Sequence, residues 1–349
     1  MRNKMVMVYP TDGFSGNFVR HTPLACLYSV VEVIKDGYEV VLQDNRLNPT
    51  DWKTELRSKI SRETLLVGVS VMSGSPIKNA IEVSRFVKEI DPDIKVVWGG
   101  PHATFNPESI FEEKACDYVI SGYGSKPLKY LTNWIVTGDK PEDMRGIGFR
   151  TGEETFEIEP YAKEFEFIDY RDIPYDLIPN FDVYGQLEQE RRIFSLYSIY
   201  GCPYKCTFCS SPAQFGPFQR SFQNLEVGDV VDHIQYVHEK YGADYIYFID
   251  DDSFVNLKHV EGIIDEISLR GIKVGLGFRG ARINEIKRMS HEFLDKLAAA
   301  GTDIMHVGAE SGSDRLLKKM KKNCTREDIL ECNRKLAQHP QIKVGYNFI

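Results

Sequence analysis

The chain has 349 residues, 42% of them hydrophobic and 27% charged, enough for about two globular units with a core each. Lysine and arginine number 43 against 51 acidic residues, a net charge of −8, and the one basic block, Lys318-Lys319-Met320-Lys321-Lys322, reads as a solvated helix end, so nucleic acid is not an expected partner. The apolar run Met5–Tyr9 is too short for a signal peptide and no window approaches about 18 apolar residues, which predicts no membrane span and a cytoplasmic protein whose thiols stay reduced.

The first part of the chain alternates strand-like and helix-like patterns. Apolar runs at 5–9, 38–42, 65–69, 95–98 and 118–120 read as strands, with helical periodicity near 23–36, 52–61, 77–90, 107–115 and 125–136 between and after them. This order predicts a parallel, doubly wound α/β sheet, whose ligands sit outside the carboxyl ends of the strands. Those ends are small and polar: Pro10-Thr11-Asp12-Gly13, Ser70-Val71-Met72-Ser73-Gly74-Ser75, Gly99-Gly100-Pro101-His102 and Ser121-Gly122-Tyr123-Gly124. One such glycine is ordinarily a tight turn, but several on successive strand ends suggest a groove that needs close backbone approach. His21 and His102 read as hydrogen-bonded loop residues rather than metal ligands.

Residues 141–191 turn acidic and proline-dotted, a structured linker with a small hairpin through 146–150 and 155–158. A strand-like run at 192–200 then leads directly into Gly201-Cys202-Pro203-Tyr204-Lys205-Cys206-Thr207-Phe208-Cys209, three cysteines within eight residues. Clustered thiolates select iron-sulfur, zinc or copper(I) over hard cations. A structural zinc site lacks a local fourth ligand, since His233 and His238 fall in a helical pattern. A disulfide is disfavoured too. Cys26, Cys116, Cys324 and Cys332 are scattered through apolar or helical contexts and read as small core residues. Further strands are expected near 245, 273, 304 and 343, with helices at 225–241, 256–270 and 290–300. The strand near 245 ends in Asp250-Asp251-Asp252, where a calcium loop would need more spaced oxygens than follow, and Asp252 or Ser253 is expected to cap the next helix.

The C-x3-C-x2-C spacing, with an aromatic residue before the third cysteine on a loop after a first barrel strand, resembles the radical S-adenosylmethionine (SAM) superfamily. That resemblance implies that Cys202, Cys206 and Cys209 hold a [4Fe-4S] cluster whose fourth iron is chelated by SAM, with Phe208 beside the adenine. It implies further SAM contacts from Asp250, Asp251, Arg282, Glu310 and Ser311, the last two in a Val-Gly-Ala-Glu-Ser-Gly run like a fourth-strand motif of the superfamily; a structural ion pair is the other reading of Glu310. The loops of the first part resemble the cobalamin-binding domain that precedes many such barrels, which implies that Ser70, Ser73, Gly99, Gly100 and Gly122 contact cobalamin. Phe14 stands where classical cobalamin enzymes place a cobalt-ligating histidine, so no axial histidine is expected. The resemblance segments the chain into a cobalamin-binding domain (1–140), a linker with the hairpin (141–191) and a partial (β/α)6, truncated TIM-like radical SAM barrel (192–349) that lacks its sixth unit. The implied activity is reductive cleavage of SAM to a 5′-deoxyadenosyl radical that abstracts hydrogen from a small-molecule or natural-product substrate, followed by methyl transfer from methylcobalamin to an unactivated carbon. Radical cyclisation or rearrangement, and a cofactor-binding fragment without turnover, are the alternatives. An external one-electron reductant such as flavodoxin or ferredoxin is the implied partner.

Overall fold

The computed structural model describes residues 2–11, 21–184 and 191–349 as two compact units, one built from 2–11 and 23–183 and the other from 21–22, 184 and 191–349. In the first unit β1 (Lys4–Tyr9), β2 (Glu39–Asp44), β3 (Thr64–Ser70), β4 (Lys95–Gly99) and β5 (Tyr118–Ile120) run parallel in the order β2-β1-β3-β4-β5. Both faces are buried: Val6, Val8, Val67 and Val69 belong to one apolar cluster, Met5, Met7 and Leu66 to the other. Alternate residues packing under two helical layers explain why these strands read as unbroken apolar runs. The order reverses between β1 and β3, the switch point where doubly wound sheets bind ligands. The loop after β1, including Phe14, lies outside the described residues.

The expected hairpin forms as β6 (Ile147–Arg150) and β7 (Phe156–Ile158), and it extends the first sheet to seven strands because β6 pairs antiparallel with β5. The helix expected over 23–36 is two short helices, Leu24–Ser29 and Val31–Lys35. That expected over 107–115 shrinks to Pro107–Ile110 behind a separate Pro101–Phe105 helix. The break falls at Asn106, at φ −138° and ψ 48°, since a residue preceding proline is pushed out of the helical region.

In the second unit the strand expected over 192–200 is divided. β8 (Ile193–Leu196) stays in the main sheet, whereas β9 (Ile199–Gly201) leaves it and pairs antiparallel with β10 (Phe222–Asn224). The Asp250 carboxylate holds the break open, accepting from Ser198 N at 2.7 Å, Ile199 N at 3.0 Å and Ser198 Oγ at 2.8 Å. β11 (Tyr245–Phe248), β12 (Gly275–Arg282), β13 (Thr302–Glu310) and β14 (Lys343–Phe348) follow β8 in parallel, each beside the last, as successive strands of a β/α barrel do. Beneath their helices Phe278 stacks on Phe248 at 4.9 Å and meets Phe254 at 4.8 Å. The helix Leu257–Leu269 is capped by Asn256, which accepts from His259 N, and not by Asp252 or Ser253; Asp252 instead accepts from Phe254 N inside the turn.

Candidate functional site

The three cysteines lie on loop 202–221, whose ends are tied together beneath it. Gly201, at φ +76°, turns the chain out of β9 into Cys202, a conformation glycine adopts without strain. Gly201 opposes Phe222 and Tyr200 opposes Gln223 in the β9–β10 pair. Within the loop Thr207 N donates to Met320 O at 3.2 Å and Cys209 N to Cys206 O at 3.3 Å. Cys209 Sγ lies 3.4 Å from Ser211 Oγ, which donates to Asp251 Oδ1 at 3.0 Å. Cys206 is buried, Cys202 half-buried and Cys209 exposed, with Phe208 45% exposed beside it. Burial pushes the Cys202 thiol up to about 12, a penalty that a bound metal removes by taking the proton's place on sulfur. Among the described residues no three His, Cys, Asp or Glu side chains gather closely enough for one metal ion. Three soft donors on one loop pinned at its base suit a cluster, whose ligands bind separate corners.

A buried polar layer lies under this loop. Arg282 ends β12 and donates from Nη1 to Cys206 Sγ at 2.8 Å and from Nη2 to Lys322 O at 2.8 Å, its guanidinium 3.9 Å from the Tyr204 ring centroid. Tyr204 Oη donates to the wholly buried Glu285 carboxylate. Asp252 is also buried; burial first, and the neighbouring Glu285 carboxylate second, push its carboxyl well above the usual range. The basic run read as solvated needs correction at its last residue. Lys322 is 4% exposed and its Nζ lies 3.0 Å from Glu310 Oε1, because the chain turns back through left-handed Lys321 and Asn323. The structural ion pair weighed for Glu310 is thus present, with lysine as the partner. Glu310 itself sits at φ +64°, an uncommon conformation for a non-glycine residue and one that concentrates at functional sites.

The structure therefore brings Cys202, Cys206, Cys209, Phe208 and Asp251 to one loop and its rim, with Arg282, Glu310 and Ser311 at the strand ends beneath. Asp250 differs from its neighbour: it is wholly buried, burial pushes its carboxyl up, and its oxygens serve the β8–β9 break. Tyr204 and Glu285 escaped sequence reasoning; Tyr204 lies inside the cysteine motif, but Glu285 carries no local pattern.

In the first unit the loops after β3, β4 and β5 are knitted into one surface. Val71 N donates to Gly99 O at 2.8 Å, His102 N to Val71 O at 2.9 Å and Gly122 N to Thr104 Oγ1 at 3.0 Å. His102 Nδ1 lies 3.1 Å from Ser73 Oγ, the loop role expected of it. Ser70 is buried at the strand end, whereas the run from Met72 to Ser75 is exposed. The glycines differ. A Cβ on Gly99 would make only ordinary contact with Ile120 O at 3.8 Å, and one on Gly74, at φ +105°, would meet nothing within 4 Å, so neither position is crowded by the protein itself. A Cβ on Gly100 would lie 3.0 Å from Val71 N and O, and one on Gly122 2.8 Å from Tyr161, so those two serve the protein's own packing.

Comparison with known proteins gives the same two parts. The family model described as the radical SAM superfamily matches residues 196–348, and that described as the B12 binding domain matches residues 20–132. An uncharacterized methyltransferase of Pyrococcus horikoshii is 26% identical over 332 residues, covering 94% of this chain and 69% of that protein. Cytidylyl-2-hydroxyethylphosphonate methyltransferase of Streptomyces wedmorensis is 22% identical over 342 residues, covering 85% of this chain and 63% of its own length. The structure of the radical SAM methyltransferase TsrM from Kitasatospora setae, solved with cobalamin and a [4Fe-4S] cluster, matches the fold with a TM-score of 0.76 at 21% identity, over 99% of this chain and 66% of that one. The chain thus spans about two thirds of the length of these relatives.

Proposed function

Because the chain belongs to the cobalamin-binding radical SAM proteins, joining a B12-binding domain to a radical SAM domain, we propose that it methylates an unactivated carbon of a small-molecule or natural-product substrate. The observation that carries this reading is the pinned three-cysteine loop at the carboxyl end of a parallel β/α sheet, in a chain that also bears uncrowded glycines at the end of β4 and in the loop after β3 of a doubly wound sheet. Cys202, Cys206 and Cys209 hold the [4Fe-4S] cluster, while Ser70, Ser73 and Gly99 line the cobalamin groove and Gly100 and Gly122 shape it by letting its loops pack closely. When bound and reduced, the cluster supplies the electron that splits SAM, and cobalamin supplies the methyl carrier.

The remaining roles belong to the chain's own side chains. Phe208 and Asp251, on the exposed rim, orient SAM, and the buried Lys322–Glu310 pair fixes the strand end from which Glu310 and Ser311 meet it. The radical SAM family takes its electron from outside, and a one-electron donor such as a flavodoxin or ferredoxin would supply it. No described helix is long and apolar enough to cross a membrane. The test is anaerobic reconstitution with iron, sulfide and hydroxocobalamin, then SAM labelled at its methyl group and a low-potential reductant. Label on cobalamin together with 5′-deoxyadenosine supports methylation. Deoxyadenosine without labelled methylcobalamin favours the cyclase or rearrangement reading, and neither product from a fully loaded chain overturns turnover altogether.

A further inference from the structure

We infer that Arg282 is a positioning residue for the iron-sulfur cluster, setting its reduction potential through the Cys206 sulfur, rather than a contact for SAM. The inference rests on Cys202, Cys206 and Cys209 being the cluster ligands. Arg282 is 7% exposed at the end of β12, where an irregularity between Phe278 and Ala281 redirects the strand. Its planar fork is taken on two edges and one face: Nη1 to Cys206 Sγ at 2.8 Å, Nη2 to Lys322 O at 2.8 Å, and the ring of Tyr204 at 3.9 Å. Tyr204 is itself fixed by its bond to Glu285. A guanidinium so committed has little freedom to swing toward a second ligand.

Charge makes the same point. Among the described residues no carboxylate is in ion-pair contact with Arg282; the buried Glu285 and Asp252 act on its charge only from farther off, and the nearby Lys322 is already paired with Glu310. A buried cation without a counter-charge in contact is costly, and the group that touches this one is the Cys206 sulfur, which iron coordination would make anionic. Its Nε–H is buried without a partner in the described protein, one more donor available to a bound group. One-electron reduction places further negative charge on the cluster and its sulfurs. A fixed cation and N–H donor at a ligand sulfur stabilise that state more than the oxidised one, the more so in a water-poor site, and so raise the potential.

The experiment uses the full chain, reconstituted anaerobically, as native protein and as Arg282→Gln, Arg282→Lys and Arg334→Gln, the last removing an exposed charge elsewhere. Iron and sulfide content are measured first, then the midpoint potential by EPR-monitored titration without SAM, then SAM affinity by equilibrium binding. Arg282→Gln should retain its iron and show at least a tenfold lower ratio of reduced to oxidised cluster at a fixed potential, a shift of 59 mV for one electron. Arg282→Lys should fall between it and the native protein, and Arg334→Gln should not move. An unchanged potential, with SAM binding either weakened or intact, overturns the inference. If Arg282→Gln cannot hold iron, Arg282→Lys decides: a lowered potential upholds the inference and a native one overturns it. Failure of the native chain itself to take up a cluster overturns the ligand assignment, and this inference with it.

Discussion

Gly99 and Gly100 stand side by side yet respond to different neighbours. Gly100→Ala adds a Cβ at φ +89° against the Val71 backbone, so it should cost about 1–3 kcal/mol of stability, visible as a lower melting temperature with no cofactor present. Gly99→Ala adds a Cβ that makes only ordinary contact with Ile120 O at 3.8 Å, so it should melt like the native chain while weakening hydroxocobalamin binding at least tenfold; native-like binding would remove this loop from the groove. For the cluster, Cys206→Ala should lose the iron and its visible absorption, whereas Cys324→Ala, a buried core residue, should keep both. The cysteines and the glycine loops were legible in the sequence because their chemistry is written in local spacing. Arg282 was legible as a residue but not as a neighbour of Cys206, since 76 positions separate them and only the strand order joins them. Lys322 was misread for the opposite reason: its local pattern is that of a solvated helix end, and the turn at Lys321 and Asn323 buries it.

Strand identity was readable wherever both faces are buried, as in β1, β3 and β4, and failed where one side chain redirects the backbone. Asp250 is that case: the run from Ile193 to Tyr200 has the composition of one strand, and three hydrogen bonds to a carboxylate split it. Asp250→Asn places an amide donor where backbone N–H groups point, and should lower the denaturation free energy by about 1.5–3 kcal/mol in a denaturant titration. A native midpoint would show that the break needs no carboxylate. The hairpin β6–β7 has a comparable influence on the first sheet. It covers β5, only three residues long, and the chain beyond it lays Tyr161 over Gly122. A fragment ending at residue 140 loses both, so it should melt less cooperatively and at lower temperature than one ending at 183, by calorimetry.

The doubly wound sheet of the first unit followed from the alternation of strand and helix patterns, and the barrel of the second from the family resemblance; that a hairpin would join the first sheet followed from neither, because antiparallel pairing to a distant edge leaves no periodic trace. The small ribbon β9–β10 has a consequence for how the protein acquires its iron. Closing a flexible loop costs entropy that grows with the logarithm of its length, and here the closure at Gly201 and Phe222 is made by backbone hydrogen bonds during folding. Iron uptake then does not have to supply that ordering, in contrast to small metal domains that fold only when loaded. Circular dichroism of iron-free and iron-loaded chains should superimpose, and the amides of Tyr200 and Gln223 should exchange slowly in both. Oxidative loss of the iron would leave a folded acceptor that can be refilled.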